Sequence, residues 1–269
     1  MADTVLYSQD GPIATLTLNR PDRLNAWTPD MGSLYFDLLD RAAADPDVRV
    51  IVVTGEGRAF CAGADMEVLR AIGAGEEERS RDVRRQTYTL QIPKPVIAMI
   101  NGPVAGIGLI MALMCDIRFA ASGAKMTTAF ARRGLIAEHG VSWLLPRLLG
   151  PARALDLLLS GRTLLSDEAF ELGLVNRVLP SEDLRETTYA YARDMAENCS
   201  PRSLSVIKHE VWSHLDKDLP EVLVEAADLM VQSMQHEDFR EGVASYMEKR
   251  PPRFAGVGKA KVSLPSGEG

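Results

Sequence analysis

Apolar and polar positions in the first half of the chain repeat with the periods of strands and helices in turn. Residues 11–18 (GPIATLTL) alternate small or apolar residues with threonine, which is typical of a half-buried strand. Residues 48–53 (VRVIVV) and 96–100 (VIAMI) are nearly continuous apolar runs, as expected of strands in a sheet that is covered on both faces. A further strand is predicted at 115–120.

Helices are predicted between these strands. Thr28 is a suitable N-cap and Pro29 suits the first helical position, so a helix is expected to run to about Ala44. Further helices are expected to begin at Asp65 and near Gly108. This alternation of strands and helices predicts an α/β fold with parallel strands and right-handed crossovers.

Helical patterns are predicted for one stretch before strand 96–100 and for most of the chain after Ser142. The Arg/Glu-rich stretch 76–90 is expected to form a solvated helix, and after Ser142 most segments have helical periodicity. The predicted helices cover 151–160, 166–172, 181–199, 201–214, 219–235 and 237–248. The chain is therefore divided into an α/β core at 1–199, a C-terminal helical region at 200–256 and a loose polar tail at 257–269.

Composition limits the kinds of partner. A net charge of −7 and a pI near 5.2 argue against nucleic acid or an anionic membrane as the main target, although a small anionic ligand stays possible.

No apolar run is long enough to span a bilayer, and the start of the sequence does not resemble a signal peptide. Cys61, Cys115 and Cys199 lie among apolar or small residues, so free thiols and a cytoplasmic location are expected, with no disulfide and no metal site.

Two glycine-containing loops that follow predicted strands are candidates for a catalytic site. Residues 55–65 (GEGRAFCAGAD) follow one predicted strand, and 101–108 (NGPVAGIG) follow the next. Small residues let another group approach the main chain, and a helix begins after each loop, so free N–H groups are available. Two such groups aimed at one oxygen would form an oxyanion hole. Met111 stands where a dinucleotide-binding loop needs its third glycine, and glycines that serve packing alone are the other interpretation.

Several motifs occur together in a characteristic order. They are LNRPDRLNAW (18–27), AFCAGAD (59–65), INGPVAGIG (100–108), CDIRFAA (115–121), SGRTLLSDEAFELGLVNRV (160–178) and HEDFREGVASYMEKRPPRF (236–254). Together they resemble the crotonase, or enoyl-CoA hydratase/isomerase, superfamily over about residues 5–256. The resemblance implies a crotonase-like spiral of ββα units followed by a helical trimerisation region, and a homotrimer or dimer of trimers.

The resemblance also implies the chemistry. The substrate would be an acyl-CoA thioester, so coenzyme A would belong to the substrate and no separate cofactor would be needed. The backbone N–H groups of Ala64 and Ile107 would be the oxyanion donors. The two glutamates that hold water in enoyl-CoA hydratases are replaced by Ile110 and Phe130. Without paired carboxylates, ordinary hydration lacks its acid and base.

Glu138 offers a substitute carboxylate. Dienoyl-CoA isomerases and an aryl-CoA dehalogenase in the superfamily have an aspartate at the matching place, and apolar surroundings make a carboxylate a better base near neutrality. One carboxylate suffices to move a proton between carbons, which favours double-bond isomerisation by Glu138, while a surface or capping glutamate is the other interpretation. His139 is a candidate for tuning or relaying the proton, although a structural histidine is the simpler interpretation.

Binding residues follow from the same motifs. The predicted coenzyme A contacts are Arg23, Leu24, Ala62, Asp65, Lys249 and Arg250, of which the basic residues could instead belong to a solvated face. The predicted acyl-pocket residues are Met66, Leu69, Phe130, Trp143 and Leu144.

Three other activities compete with isomerisation. The first is a hydratase in which Glu138 and His139 hold water, and the second is a CoA-thioester-binding subunit without catalysis. The third is a hydrolase built from Ser142, His139 and Asp116, which lacks the nucleophile-elbow signature.

Overall fold

The computed structural model describes residues 3–76, 82 and 84–256. The strands are β1 (Val5–Asp10), β2 (Ile13–Leu18), β3 (Val50–Gly55), β4 (Val96–Ile100), β5 (Val104–Ala105), β6 (Ile117–Ala121), β7 (Lys125–Thr127), β8 (Leu164–Leu165) and β9 (Arg177–Leu179). The helices are α1 (Pro29–Ala44), α2 (Met66–Ala74), α3 (Ile107–Leu113), α4 (Val141–Leu149), α5 (Pro151–Ser160), α6 (Ser166–Leu172), α7 (Ser181–Asn198), α8 (Pro201–Ser213), α9 (Leu219–Gln235) and α10 (Glu237–Glu248).

The main sheet has six strands in the order β1-β2-β3-β4-β6-β9. β1 and β2 form an antiparallel pair, and every later neighbour in this sheet is parallel. A smaller sheet has the order β5-β7-β8. Since parallel neighbours start from the same edge, the segments that leave β3 and β4 emerge side by side.

Alternate residues of the central strands pack into two different apolar clusters. Val50 and Val52 of β3 pack in the cluster that α7 covers, together with Leu184 of that helix. Ile51 and Val53 point to the opposite face and join the larger cluster, which includes α1 and α3. The period of two in side-chain direction therefore buries both faces, and this explains the continuous apolar run in β3.

Local signals place most elements correctly. Thr28 caps α1 by accepting a hydrogen bond from the Met31 N–H at 3.3 Å, and Pro29 is the first helical residue. Strand β4 and helices α5, α6, α9 and α10 have the predicted bounds. Strand β3 lies two residues later than predicted, and the C-terminal half is helical as expected.

One predicted element is not formed, and several observed elements were not predicted. The expected helix at 76–90 is not formed in its described part, because residues 86–91 form a short 3-10 helix; residues 77–81 and 83 lie outside the described residues. Helix α4 was not predicted, and Pro146 within it disguises its periodicity. The predicted loose tail at 257–269 also lies outside the described residues.

The C-terminal helical region is fastened to the sheet by a buried ion pair. Lys208 of α8 donates to the Asp116 carboxylate at 2.8 Å and to the backbone oxygens of Thr89 and Lys94 at 3.2 Å. Asp116 also accepts from the Val96 N–H at 2.7 Å, at the start of β4.

The division of the chain at residue 199 stays a prediction. Across the described ranges, no helix combines the length and apolarity that a bilayer crossing requires.

Candidate active site

A cavity of about 590 Å³ opens beside the segments that follow β3 and β4. Residues from five parts of the chain line it: the segment before α1 and its first turns, the loop into α2 with the first part of that helix, the turn before α3, residues 82 and 84–86, and the segment between Thr128 and His139. Trp27, Phe36 and Phe130 provide aromatic wall, and Met66 and Leu69 provide aliphatic wall. Most of the wall is therefore apolar, with a few polar groups among it.

The first loop places Ala64 in the wall of this cavity. A parallel bridge joins Trp27 to Ala64, in which Trp27 donates to the Gly63 oxygen at 2.8 Å and accepts from the Asp65 N–H at 2.9 Å. In a parallel bridge of this kind, the residue between the two hydrogen-bonded ones, here Ala64, directs its own N–H away from the partner segment. The Ala64 N–H accordingly has no acceptor among residues 3–76, 82 and 84–256.

The second loop presents the Ile107 N–H. Gly106 donates to the Thr127 oxygen at 3.0 Å and precedes α3 without providing a side-chain cap. Ile107 is the first residue of that helix, where an N–H has no intrahelical acceptor. Its N–H finds no acceptor elsewhere in the described part of the chain, and Ile107 lines the cavity together with Ala64.

The two loops abut next to these amides. Gly63 has a φ of 102°, and a Cβ at this position would lie 3.2 Å from the Ala105 oxygen. Gly106 has a φ of 50° with ψ of −124°, a conformation that side chains disfavour, and a Cβ there would lie 3.9 Å from the Gly63 Cα. Glycine thus lets the residues that precede Ala64 and Ile107 touch through their backbones.

Two asparagines that were not predicted as site residues hold the loops in place. The Asn25 amide donates to the Glu56 oxygen at 2.9 Å and to the Ala59 oxygen at 2.8 Å. Asn101 accepts from the Gly55 N–H at 3.2 Å and donates to the Gly55 oxygen at 2.9 Å. Asn25 is fully buried with a φ of 56°, so its amide replaces backbone hydrogen bonds that the first loop lacks.

The side chain of Asp65 fixes the loop that carries the Ala64 N–H through a helix cap and an ion pair. Its carboxylate caps α2 by accepting from the Glu67 N–H at 3.0 Å, and it pairs with Arg20 at 2.8 Å. Burial alone would raise the pKa of Asp65, but the hydrogen bonds from Glu67 and Arg20 outweigh it and lower that pKa below its ordinary value. Asp65 is therefore an ionised structural residue that fixes the start of α2, as well as a cavity-lining one.

Glu138 and His139 form the polar end of the cavity. The His139 Nε2 lies 3.6 Å from the Glu138 Oε2, and both residues line the cavity. Burial lowers the pKa of His139; the Glu138 carboxylate opposes this, and Arg85 adds to it. The expected apolar enclosure of Glu138 is wrong, because 44% of its side chain is exposed in the single chain.

The predicted binding residues are only partly brought together. Arg23, Ala62, Asp65, Met66, Leu69 and Phe130 line the cavity as predicted. Leu24, Trp143, Leu144 and Lys249 do not. The backbone oxygen of Leu24 is used to accept from the Ala62 N–H at 3.0 Å. Leu144 is core, and Trp143 packs against Trp212 with ring centroids 6.3 Å apart.

The two predicted basic contacts at the end of α10 and the apolar residue at position 110 do not line the cavity. Lys249 is the left-handed C-cap of α10, and Arg250 forms an ion pair with Glu241 at 2.6 Å. Ile110, predicted to stand in place of the first hydratase glutamate, is 1% exposed within the apolar core. Phe130, predicted to stand in place of the second, is part of the wall.

The hydrolase triad is not assembled. The Asp116 carboxylate is engaged by Lys208 and the Val96 N–H, as described above, and neither Asp116 nor Ser142 lines the cavity. The thiols take no part either, because burial raises the pKa of Cys61 and of Cys115 to about 12. All three cysteines are free, as predicted.

Comparison with known proteins covers nearly the whole chain. The family model described as enoyl-CoA hydratase/isomerase matches residues 8–257. The 1,2-epoxyphenylacetyl-CoA isomerase of Escherichia coli is 36% identical over 262 residues, which are 95% of this chain and 100% of that protein.

Solved structures agree with this sequence similarity. A probable enoyl-CoA hydratase/isomerase from Mycobacterium abscessus is 31% identical with a TM-score of 0.87, covering 94% of this chain and 99% of that one. An enoyl-CoA hydratase EchA12_1 from Mycobacterium marinum is 52% identical with a TM-score of 0.69, covering 78% of this chain and 98% of that one. The predicted crotonase-like α/β fold is thereby confirmed.

Proposed function

We propose, since the chain belongs to the enoyl-CoA hydratase/isomerase family, that it moves the double bond of an acyl-CoA thioester by proton transfer. In this proposal the N–H groups of Ala64 and Ile107 bind the thioester oxygen. Glu138 takes a proton from one carbon of the acyl group and returns it to another.

The supporting observation is the state of the acidic side chains around the cavity. Asp65 is paired with Arg20, Glu67 with Arg23 at 3.3 Å, and Asp82 with Arg84 at 2.6 Å. Glu138 lines the same cavity beside His139, and within residues 3–76, 82 and 84–256 it forms no ion pair with an arginine. A carboxylate that is not held by a guanidinium can accept and release a proton, so Glu138 is the acid/base candidate.

The proposed reaction is balanced without a co-reactant. The Glu138 carboxylate removes a proton from the carbon next to the thioester carbonyl or from the carbon two bonds beyond, and the freed electron pair moves into the carbonyl as an enolate. The negative oxygen then accepts hydrogen bonds from the Ala64 and Ile107 N–H groups. Each preorganised donor of this kind contributes about 3 kcal/mol to transition-state stabilisation. Return of the proton to the other carbon completes the shift.

Hydration is a second candidate because His139 stands beside Glu138. A neutral imidazole 3.6 Å from a carboxylate can help to hold one water molecule. Against it, Ile110 and Phe130 provide no carboxylate where the hydratase pair would stand, and Ile110 is buried in the core. Isomerisation needs one proton-carrying group and is therefore favoured.

Substrate binding and assembly are extended from the family resemblance as proposals. Arg23 at the cavity wall is more than half exposed and can approach a coenzyme A phosphate. The C-terminal helices leave large apolar side chains uncovered, among them Leu219, Leu223, Val224, Tyr246 and Met247. This surface supports self-association, which we propose to be the homotrimer or dimer of trimers of the predicted architecture. In such an assembly Lys249 would serve a neighbouring site.

One experiment separates the proposed activities. The protein is incubated with 2-enoyl-CoA and with 3-enoyl-CoA in deuterated water, and the products are analysed by mass spectrometry. Isomerisation interconverts the two thioesters and incorporates deuterium at carbon without gain of water. A product heavier by one water molecule identifies a hydratase instead. Unchanged thioesters that are nevertheless bound would identify a non-catalytic binding protein.

A further inference from the structure

Two polar atoms in the cavity wall lack a hydrogen-bond partner. The Gln86 Oε1 and the His139 Nδ1 are both buried, and neither is hydrogen-bonded within residues 3–76, 82 and 84–256. Gln86 is only 2% exposed, yet it borders the cavity, as His139 does. Because buried polar groups are almost always paired, these two atoms indicate a partner that enters through the cavity.

The two residues belong to one part of the wall. Gln86 is the first residue of the 3-10 helix at 86–91, and His139 precedes Gly140. A Cβ at Gly140 would lie 2.9 Å from the Thr87 Cγ2, so the segments that carry Gln86 and His139 are in contact. Gln86 and His139 therefore lie on adjoining segments of the wall of one cavity.

The chemistry of the two groups defines the substituent. Burial disfavours the charged form of His139 and lowers its pKa, so the imidazole has one N–H and one lone pair. With the Nε2 facing the Glu138 carboxylate, the proton belongs on Nε2 and the lone pair on Nδ1. The terminal amide of Gln86 rotates within a broad torsional well and can offer either N–H or oxygen.

We propose that Gln86 and His139 form a polar subsite that selects acyl-CoA thioesters whose acyl group carries a hydroxyl. The hydroxyl would donate to the His139 Nδ1 and accept from the Gln86 amide. This inference rests on the proposed function, since the acyl group must enter this cavity. The subsite uses the imidazole edge opposite to Glu138, so it leaves the proton-carrying carboxylate available.

The neighbouring wall sharpens this selectivity. Phe36 and Phe130 line the same cavity and offer no hydrogen bond to a misplaced hydroxyl. An unsubstituted alkyl group would leave both polar atoms unpaired in apolar surroundings. Sites that hydrogen-bond a substrate hydroxyl reject the analogue that lacks it far more strongly than apolar sites distinguish alkyl groups.

The test uses unreactive coenzyme A thioethers. S-hexyl-CoA is compared with a series of S-hydroxyhexyl-CoA isomers in which the hydroxyl occupies each carbon from 3 to 6 in turn, and affinities are measured by isothermal titration calorimetry. At one position the hydroxyl is expected to strengthen binding about 10-fold or more. Gln86→Leu is expected to reduce this ratio to about 2-fold or less. Gln91→Leu, at the exposed end of the same 3-10 helix, is the matched control and keeps the ratio.

Each outcome tests either the polar subsite or the proposed acyl-CoA function. Equal affinity of wild type for S-hexyl-CoA and every hydroxylated isomer would overturn the subsite while leaving the acyl-CoA activity intact. The same holds if Gln86→Leu preserves the ratio. If neither kind of thioether binds, the proposed function itself fails. Should Gln86→Leu not fold, Gln86→Met removes the amide with a similar volume and gives the same comparison.

Discussion

The Nε2 of His139 lies 3.6 Å from the Oε2 of Glu138, in a cavity that the Ala64 and Ile107 amides also line. This places a neutral imidazole beside the carboxylate that is proposed to carry the proton. The other acidic side chains in the wall are paired with arginines. Among the described residues, Glu138 is therefore the acidic side chain of this wall that is not paired with a guanidinium.

Replacing Glu138 by glutamine removes the proposed proton carrier and keeps its size. Deuterium exchange into 3-enoyl-CoA is expected to fall about 100-fold or more, because general acid–base groups contribute rate factors of this order. Affinity for S-hexyl-CoA should persist, which serves as the control for an intact cavity. Exchange within a few-fold of wild type would exclude Glu138 from the mechanism.

The Ile107 amide can be tested with proline. Ile107→Pro removes the N–H and puts a ring carbon in its place, and proline is tolerated at the first helical position. The turnover number is expected to fall about 100-fold or more. Ile107→Ala is the matched control, since it shortens the same side chain but keeps the N–H. Equal losses in the two variants would show that the amide is not an oxyanion donor.

Gly108 is expected to be intolerant of any side chain. A Cβ there would lie 2.6 Å from the Cys61 Cβ, so Gly108→Ala forces α3 away from the first loop. We expect a loss of about 1–3 kcal/mol in the free energy of unfolding, measured by urea denaturation. Gly73→Ala in α2 is the control, because its Cβ meets nothing within 4 Å. That variant should be more stable by about 0.5–1 kcal/mol.

Asp65 should make stability depend on pH. Its pKa is lowered in the folded chain, so its ion pair with Arg20 contributes at pH values above the unfolded pKa of about 4. The contribution is lost as pH falls through the folded pKa. Asp65→Asn keeps a side chain that can cap α2 but lacks the charge. Urea denaturation should show a gap of about 1–2 kcal/mol from wild type at pH 7 that shrinks below pH 4. A gap that grows in acid would contradict this assignment.

Local sequence signals determine much of this fold because their partners are close along the chain. Thr28 caps α1 through the Met31 N–H, and Asp65 caps α2 through the Glu67 N–H. Apolar runs set strand β4, and the side-chain period of two sends alternate residues of β3 to opposite faces. The sequence also shows apolar residues at positions 110 and 130, where the family resemblance predicts the two hydratase glutamates.

Tertiary structure alone decided how the cavity wall is completed. Asn101 reaches Gly55 across 46 positions of sequence, and Thr87, next to Gln86, packs beside Gly140, next to His139. No local periodicity encodes such contacts, because they depend on which strands are neighbours in the sheet. For the same reason the sequence could not show that 44% of the Glu138 side chain is exposed, that Lys249 does not line the cavity of its own chain, or that the Gln86 Oε1 has no hydrogen-bond partner within the described residues. Capping and periodicity act over a few residues, whereas burial and pairing are properties of the assembled chain.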